Sequence, residues 1–363
     1  MLKFDNLKQI HLEITNRCQA ACPMCNRNVH GGLSNPLIKN TDWSIYDFKK
    51  ILPVDLLKKL HGIYFCGNFG DPIINSELAD MCEYAKSVSD DLELVIHTNG
   101  SARSAAWWNA LPTKLPKNHR VVFALDGLSD THSIYRIGTR FETIIKNATA
   151  FINSGGIAEW VFIKFKHNEH QLEEAKHLAQ SLGFDRFTVK NSTRFIGEPK
   201  YPVFNSSGNT VYFLEPPSDN QVKFISYDVI NNYREIVDNA EILCYAAQHN
   251  EIYIDAHKHV YPCCYIGSVP YTYTEKDPVE SVRNHIQQQH LQYIDHFGGY
   301  LEIDATVNSI EQIMEAASWK TAWNKFWKSE KLIMCARVCG EIPQITGSQK
   351  QIIEISEIKR QGQ

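Results

Sequence analysis

Along the first half of the chain, the spacing of hydrophobic positions switches repeatedly between two periods. Six short runs either alternate apolar with polar residues or stay apolar for several residues, and they favour β-branched and aromatic side chains. They are QIHLEI (9–14), GIYFC (62–66), LELVIHT (92–98), RVVFAL (120–125), AEWVFIKF (158–165) and RFTVK (186–190), each predicted as a strand. Between them the apolar residues recur every three or four positions, as in Leu78, Met81, Cys82, Ala85 and Val88, or Leu172, Ala175, Leu178 and Leu182. That spacing predicts helices near 44–60, 75–89, 103–111, 141–154 and 170–182. Strand followed by helix, six times, is the pattern of βαβ units. Right-handed crossovers would curl their parallel sheet into a partial (β/α)6 barrel of the TIM type, an α/β fold. Such a fold gathers its chemistry on the loops after the carboxyl ends of the strands.

The alternation stops near 190, which bounds a barrel domain over 1–190. Residues 191–243 are polar and aromatic, punctuated by Gly197, Pro199, Pro202, Gly208, Pro216 and Pro217, and read as a connecting segment. A hairpin, EIYIDAHKHVYPCC, is predicted from 251, followed by a stretch rich in His, Gln, Tyr and Trp and then by CARVC. Residues 244–345 therefore form a second, small α+β domain, and 346–363 a tail that reads as a short charged helix. The aromatic run from Trp319 to Trp327 has helical spacing and is expected to be packing.

Composition narrows the class. With 363 residues, 43% hydrophobic, 21% charged and a net charge of -4, the chain has the profile of a globular protein of one or two domains. It has no apolar run of membrane-spanning length, and its N-terminus lacks the layout of a secretory signal; a cytoplasmic protein without a membrane partner is expected. No basic stripe points to nucleic acid. Ten cysteines in such a chain direct attention to metal binding or catalysis before disulfides. Cys18, Cys22 and Cys25 form one group; Cys244, Cys263, Cys264, Cys335 and Cys339 form another; Cys66 and Cys82 stand apart, with Cys82 on the apolar side of a helix and expected to be core.

The first group sits directly after the first strand, in EITNRCQAACPMC. A structural zinc site needs four closed ligands, whereas three thiolates can hold three irons of a [4Fe–4S] cluster and leave the fourth open. CQAACPMC resembles the three-cysteine motif of the radical S-adenosylmethionine (radical SAM) family. The resemblance implies that the amino and carboxylate groups of S-adenosylmethionine chelate the open iron. One electron then splits the sulfonium, and the 5′-deoxyadenosyl radical removes a substrate hydrogen. Met24 occupies the position of the bulky residue beside the adenine. GNFGDP, with Gly67, Asn68, Gly70 and Asp71, resembles the glycine-rich motif that binds the methionine amino group, with Asp71 where the family usually has Glu. HTNG, ending the third strand, contributes Asn99. ALDGLSDTHSIYR resembles the Ser-x-Asp-Gly segment, so Asp126 and Arg136 would face the cofactor, with Ala124 in the serine position. The resemblance covers residues 8 to about 190.

The second group resembles the auxiliary-cluster region called a twitch domain, a shortened SPASM domain. Five cysteines beyond residue 190 suffice for one [4Fe–4S] cluster and not for two. Cys244, Cys263, Cys335 and Cys339 are the expected ligands, with Cys264 able to replace Cys263; a four-cysteine zinc site is the alternative. The turn DAHK lacks the glycine this hairpin often carries. A closed cluster would move electrons, making an oxidoreductase that needs a base, for which Asp255 is a candidate. An epimerase would instead use a hydrogen-donating thiol, Cys264 or Cys66. Histidines 257, 259, 285, 290 and 296 match no compact ligand set. The expected activity is oxidation, by dehydrogenation or peptide side-chain modification, of a peptide or small sugar-like molecule. A flavodoxin- or ferredoxin-type donor would supply the electrons. A non-catalytic zinc-binding module is the reading from another class.

Overall fold

All six predicted strands form, and they lie side by side in chain order. They are β1 (Gln9–Leu12), β2 (Gly62–Phe65), β3 (Glu93–Thr98), β4 (His119–Ala124), β5 (Ala158–Lys164) and β6 (Arg186–Asn191), each parallel to the next. The computed structural model describes residues 2–192, 194–195, 199–218, 233–272, 280–341 and 353–357. Three further strands extend the sheet: β7 (Glu251–Ile254) runs parallel to β1, β8 (Val260–Tyr261) antiparallel to β7, and β9 (Ile353–Glu357) antiparallel to β6. The order across all nine is β8-β7-β1-β2-β3-β4-β5-β6-β9. The hairpin predicted from 251 is thus present, and its first strand continues the main sheet.

Two elements differ from expectation. The helix predicted over 44–60 is two helices, Ile45–Ile51 and Val54–Lys59, because Pro53 excludes Leu52 from helical geometry and leaves it at φ -116, ψ 72. The tail contains a strand where a helix was predicted. Ile353 to Glu357 reads IEISE, an alternation of period two, and it pairs along the edge of β6; residues 346–352 and 358–363 lie outside the described residues. Within the connecting segment, Tyr201–Phe204 and Thr210–Leu214 form an antiparallel hairpin.

The helices cover one face of the sheet. Ile10, Leu12, Ile63, Phe65, Leu94, Ile96, Val121, Phe123, Trp160 and Phe162 pack there against Met81, Trp108, Ile144 and Phe151 from the helices, with Cys82 fully buried among them. Trp319, Phe326 and Trp327 belong to the same core, as their spacing predicts. The opposite face carries His11, Tyr64, His97, Glu159, Thr188 and Lys190 at the alternate positions. Val95, Val122, Val161 and Ile163 lie among them on that face, which is therefore mixed polar and aliphatic. No helix among the described residues is long and apolar enough to cross a membrane.

Candidate active site

Four loops at the carboxyl ends of β1 to β4 meet around the first three thiols. The β1 loop is pinned by Asn16, whose Oδ1 accepts from Thr41 N at 2.8 Å while its Nδ2 donates to the Lys39 carbonyl at 2.7 Å. Cys25 N donates to the Cys22 carbonyl at 3.0 Å, winding the chain into a turn that brings these two thiols together. From the β2 loop, the Asn68 carbonyl approaches Cys25 Sγ at 4.0 Å. From the β3 loop, Asn99 Nδ2 lies 3.6 Å from Cys18 Sγ. From beyond β4, Arg136 extends an N–H to Cys22 Sγ at 3.8 Å.

Two of these thiols, Cys18 and Cys22, are hard to ionise by themselves. Burial pushes Cys22 up to about 11, and Cys25 and Asp126 add to it as like charges while Arg136 opposes them. Cys18 is raised further, by burial first and then by Asp71 and its two sister thiols. Cys18 and Cys22 need added positive charge before both can be thiolate, and soft metal ions supply such charge.

The β2 loop is held from beneath by a residue the sequence reading did not single out. Glu13, 2% exposed, accepts from Phe69 N at 2.8 Å and Gly70 N at 2.9 Å through Oε1, and from the Tyr253 hydroxyl through Oε2. A Cβ on Gly67 would lie 2.8 Å from Glu13 Oε1, and one on Gly70 would overlap the Thr15 carbonyl, so both glycines are dictated by close approach. Asp71 accepts from Asn99 N at 2.7 Å and Ile73 N at 3.2 Å, which ties the β2 and β3 loops together; burial raises its carboxyl to about 6. Asp126, fully buried, receives Arg136 Nε at 2.5 Å and Ile163 N at 2.5 Å. Arg136 is therefore engaged by Asp126 and extends its remaining N–H toward Cys22. Met24 packs with Cys22, Tyr135 and Phe165, with Ser192 Oγ 3.3 Å from its sulfur and the Arg194 guanidinium on its carbonyl. In QIHLEI the two-residue period already assigned Glu13 to the polar face; the loop it holds was beyond local pattern.

The second group divides. Cys335 and Cys339 occupy the start and end of one helical turn in Ile333–Cys339. Burial raises Cys335, with Cys263, Cys244 and Cys339 adding as like charges; burial likewise pushes Cys263 up to about 12, with Cys244 and Cys339 beside it. Those four thiols lie within electrostatic reach of one another. Cys264, the first residue of the next helix, lies under the influence of Cys66 and Glu251 in addition to Cys263. Cys263 stands just before that helix with extended backbone, φ -159 and ψ 164, which separates its side chain from that of its neighbour. Asp255, 2% exposed, accepts from His259 N at 2.9 Å and pairs with His259 Nδ1 at 3.3 Å, so it braces the hairpin turn. His296 is bonded to the Ser318 carbonyl at 3.0 Å, and His290 lies 3.3 Å from the Tyr300 hydroxyl. Among the described residues, no three His, Cys, Asp or Glu side chains converge on a point that would hold a single ion.

Solved structures share this architecture. Hexahistidine-tagged anSMEcpe with bound AdoMet aligns at a TM-score of 0.53 and 11% identity, over 95% of this chain and 88% of that one. Native anSMEcpe with bound AdoMet and Cp18Cys peptide aligns at 0.51 and 12% identity, over 97% and 92%. Streptococcus suis SuiB bound to S-adenosylmethionine aligns at 0.46 and 15% identity, over 76% and 68%. No protein-family profile and no curated protein matches the chain. The likeness to anSMEcpe shows the fold, which is the partial barrel that the three-cysteine motif implies.

Proposed function

We propose that the protein is a radical SAM enzyme, with Cys18, Cys22 and Cys25 holding a [4Fe–4S] cluster. The observation that carries this reading is the meeting of four barrel loops on three thiols in the order the motif implies, within a fold shared with AdoMet-bound structures. The donor set fits the group: three soft ligands on meeting loops and a neighbouring guanidinium to offset thiolate charge. When bound, the cluster would supply one electron to S-adenosylmethionine and yield the 5′-deoxyadenosyl radical that takes a substrate hydrogen. The chain's own residues organise this step. Asn99 and Arg136 lie against two of the thiols, Glu13 and Asp71 fix the loop that would meet the methionine amino group, and Met24 would border the adenine.

Cys244, Cys263, Cys335 and Cys339 would ligate a second [4Fe–4S] cluster. Four thiols leave it no open iron, so it would carry electrons, which favours oxidation of the substrate radical, with Asp255 the candidate base in its second-domain hairpin. The parting of Cys264 from that group toward Cys66 favours a second reading, in which a thiol returns a hydrogen and the substrate is epimerised. Reduced protein incubated with S-adenosylmethionine tests the common step. 5′-Deoxyadenosine should form, and Cys22→Ala should abolish it; product formed equally by the variant would contradict the assignment.

A further inference from the structure

The loop of residues 67–71, which would meet the methionine amino group, is held by chain beyond residue 250 as well as by the barrel. Glu13 accepts from Phe69 N at 2.8 Å and Gly70 N at 2.9 Å, and its second oxygen accepts from the Tyr253 hydroxyl of β7. Asn68 Nδ2 donates to the Cys264 carbonyl at 2.9 Å, and the buried Phe69 ring meets Tyr271 edge to face with centroids 5.2 Å apart. Asn68, Phe69 and Gly70 therefore each contact the segment 253–271, directly or through Glu13.

The same segment is fastened to the chain that follows the first cysteines. The Tyr271 carbonyl accepts from Asn35 Nδ2 at 2.8 Å, and that amide nitrogen also donates to the Asn26 carbonyl at 2.7 Å, one residue past Cys25. Its place on the hairpin is set by Gly267, in the helix Cys264–Ser268: a Cβ there would lie 2.5 Å from the Tyr253 ring and 3.0 Å from the Tyr261 ring. Only glycine lets this helix lie so close to the hairpin. A single turn, Val269–Tyr271, then brings Tyr271 onto Phe69.

A loop that includes Gly67 and Gly70 loses much backbone freedom when it orders. A ligand that met it loose would bind more weakly by that cost, and a loop already held spares the ligand from it. We propose that Tyr253 and Tyr271 are positioning residues for S-adenosylmethionine. Tyr253 fixes the loop backbone through Glu13, and Tyr271 fixes it through the Phe69 ring. Naming the ligand rests on the radical SAM reading; the ordering of the loop does not.

Substitutions in the anaerobically purified protein test this. Tyr253→Phe removes one hydroxyl and keeps the ring, Tyr271→Ala removes the ring, and Tyr271→Phe retains it. In equilibrium dialysis with S-adenosylmethionine, Tyr253→Phe and Tyr271→Ala should each raise Kd about tenfold at native iron content, the order of one hydrogen bond or ring contact. Tyr271→Phe should bind as the native protein does, and so should Tyr46→Ala, a control at an exposed position. Hydrogen exchange without S-adenosylmethionine should quicken at 67–71 in both weakened variants and stay native in β2 to β4. Native affinity in Tyr253→Phe or in Tyr271→Ala, an equal loss in Tyr271→Phe, or a loss of affinity that tracks a loss of iron would each overturn the proposal. So would exchange unchanged at 67–71 or quickened throughout the sheet. Tyr253→Phe is isosteric and decides the question should Tyr271→Ala not fold. Failure of the radical SAM reading registers separately: the native protein would bind no S-adenosylmethionine while the exchange pattern held.

Discussion

Gly70 shows how a single residue sets the site. Its missing side chain lets the β2 loop lie on the chain just after β1, where a Cβ would overlap the Thr15 carbonyl and come within 2.8 Å of Asn16 Cα. Backbone cannot swing aside as a side chain can, so Gly70→Ala is expected to cost roughly 1–3 kcal/mol and to weaken S-adenosylmethionine binding more than it lowers iron content. Denaturant titration and ligand titration separate the two effects. Glu13 gives a prediction in pH. Burial raises its carboxyl from 4.5 to about 7, against the opposing hydrogen bonds from Tyr253, Gly70 and Phe69. The folded state thus binds the proton more tightly than the unfolded chain. The resulting stability is complete below pH 4.5 and is lost as pH rises through 7, by roughly 3 kcal/mol. Glu13→Gln should flatten that part of the stability–pH curve in chemical denaturation; an unchanged slope would remove Glu13 as its source.

At the scale of elements, the two adjacent cysteines of the hairpin can be told apart by iron analysis. If Cys263 belongs with Cys244, Cys335 and Cys339, then Cys263→Ala should reduce the iron from about eight to about four per chain, while Cys264→Ala should leave it unchanged. The reverse result would exchange their roles. The strands were legible because period two survives any tertiary context that buries one face, and the helices because their apolar stripes face that sheet. IEISE carried the same signal as the other strands, but the charged residues flanking it suggested a helix; pairing with β6 decided the matter. Adjacent cysteines could not be ranked because the extended backbone at Cys263 separates them, and that is set by the fold. The grip of Glu13 on the β2 loop likewise depends on strands and loops distant in sequence.

On the scale of the whole molecule, a parallel sheet curls so that one face seals against helices and the other mixes polar with aliphatic residues, and four of its loops close over three thiols. The added strands β7 and β8 draw the hairpin that precedes Cys263 against β1, and Asn68 Nδ2 from the β2 loop donates to the Cys264 carbonyl just beyond it. The central claim is that the first group leaves an iron open to S-adenosylmethionine. Electron–nuclear double resonance of the reduced protein, with the methionine amino nitrogen labelled as 15N, measures this directly. The account predicts a nitrogen coupling to the cluster that disappears in Cys22→Ala. A reduced cluster showing no such coupling, or a first site occupied by zinc, would contradict it.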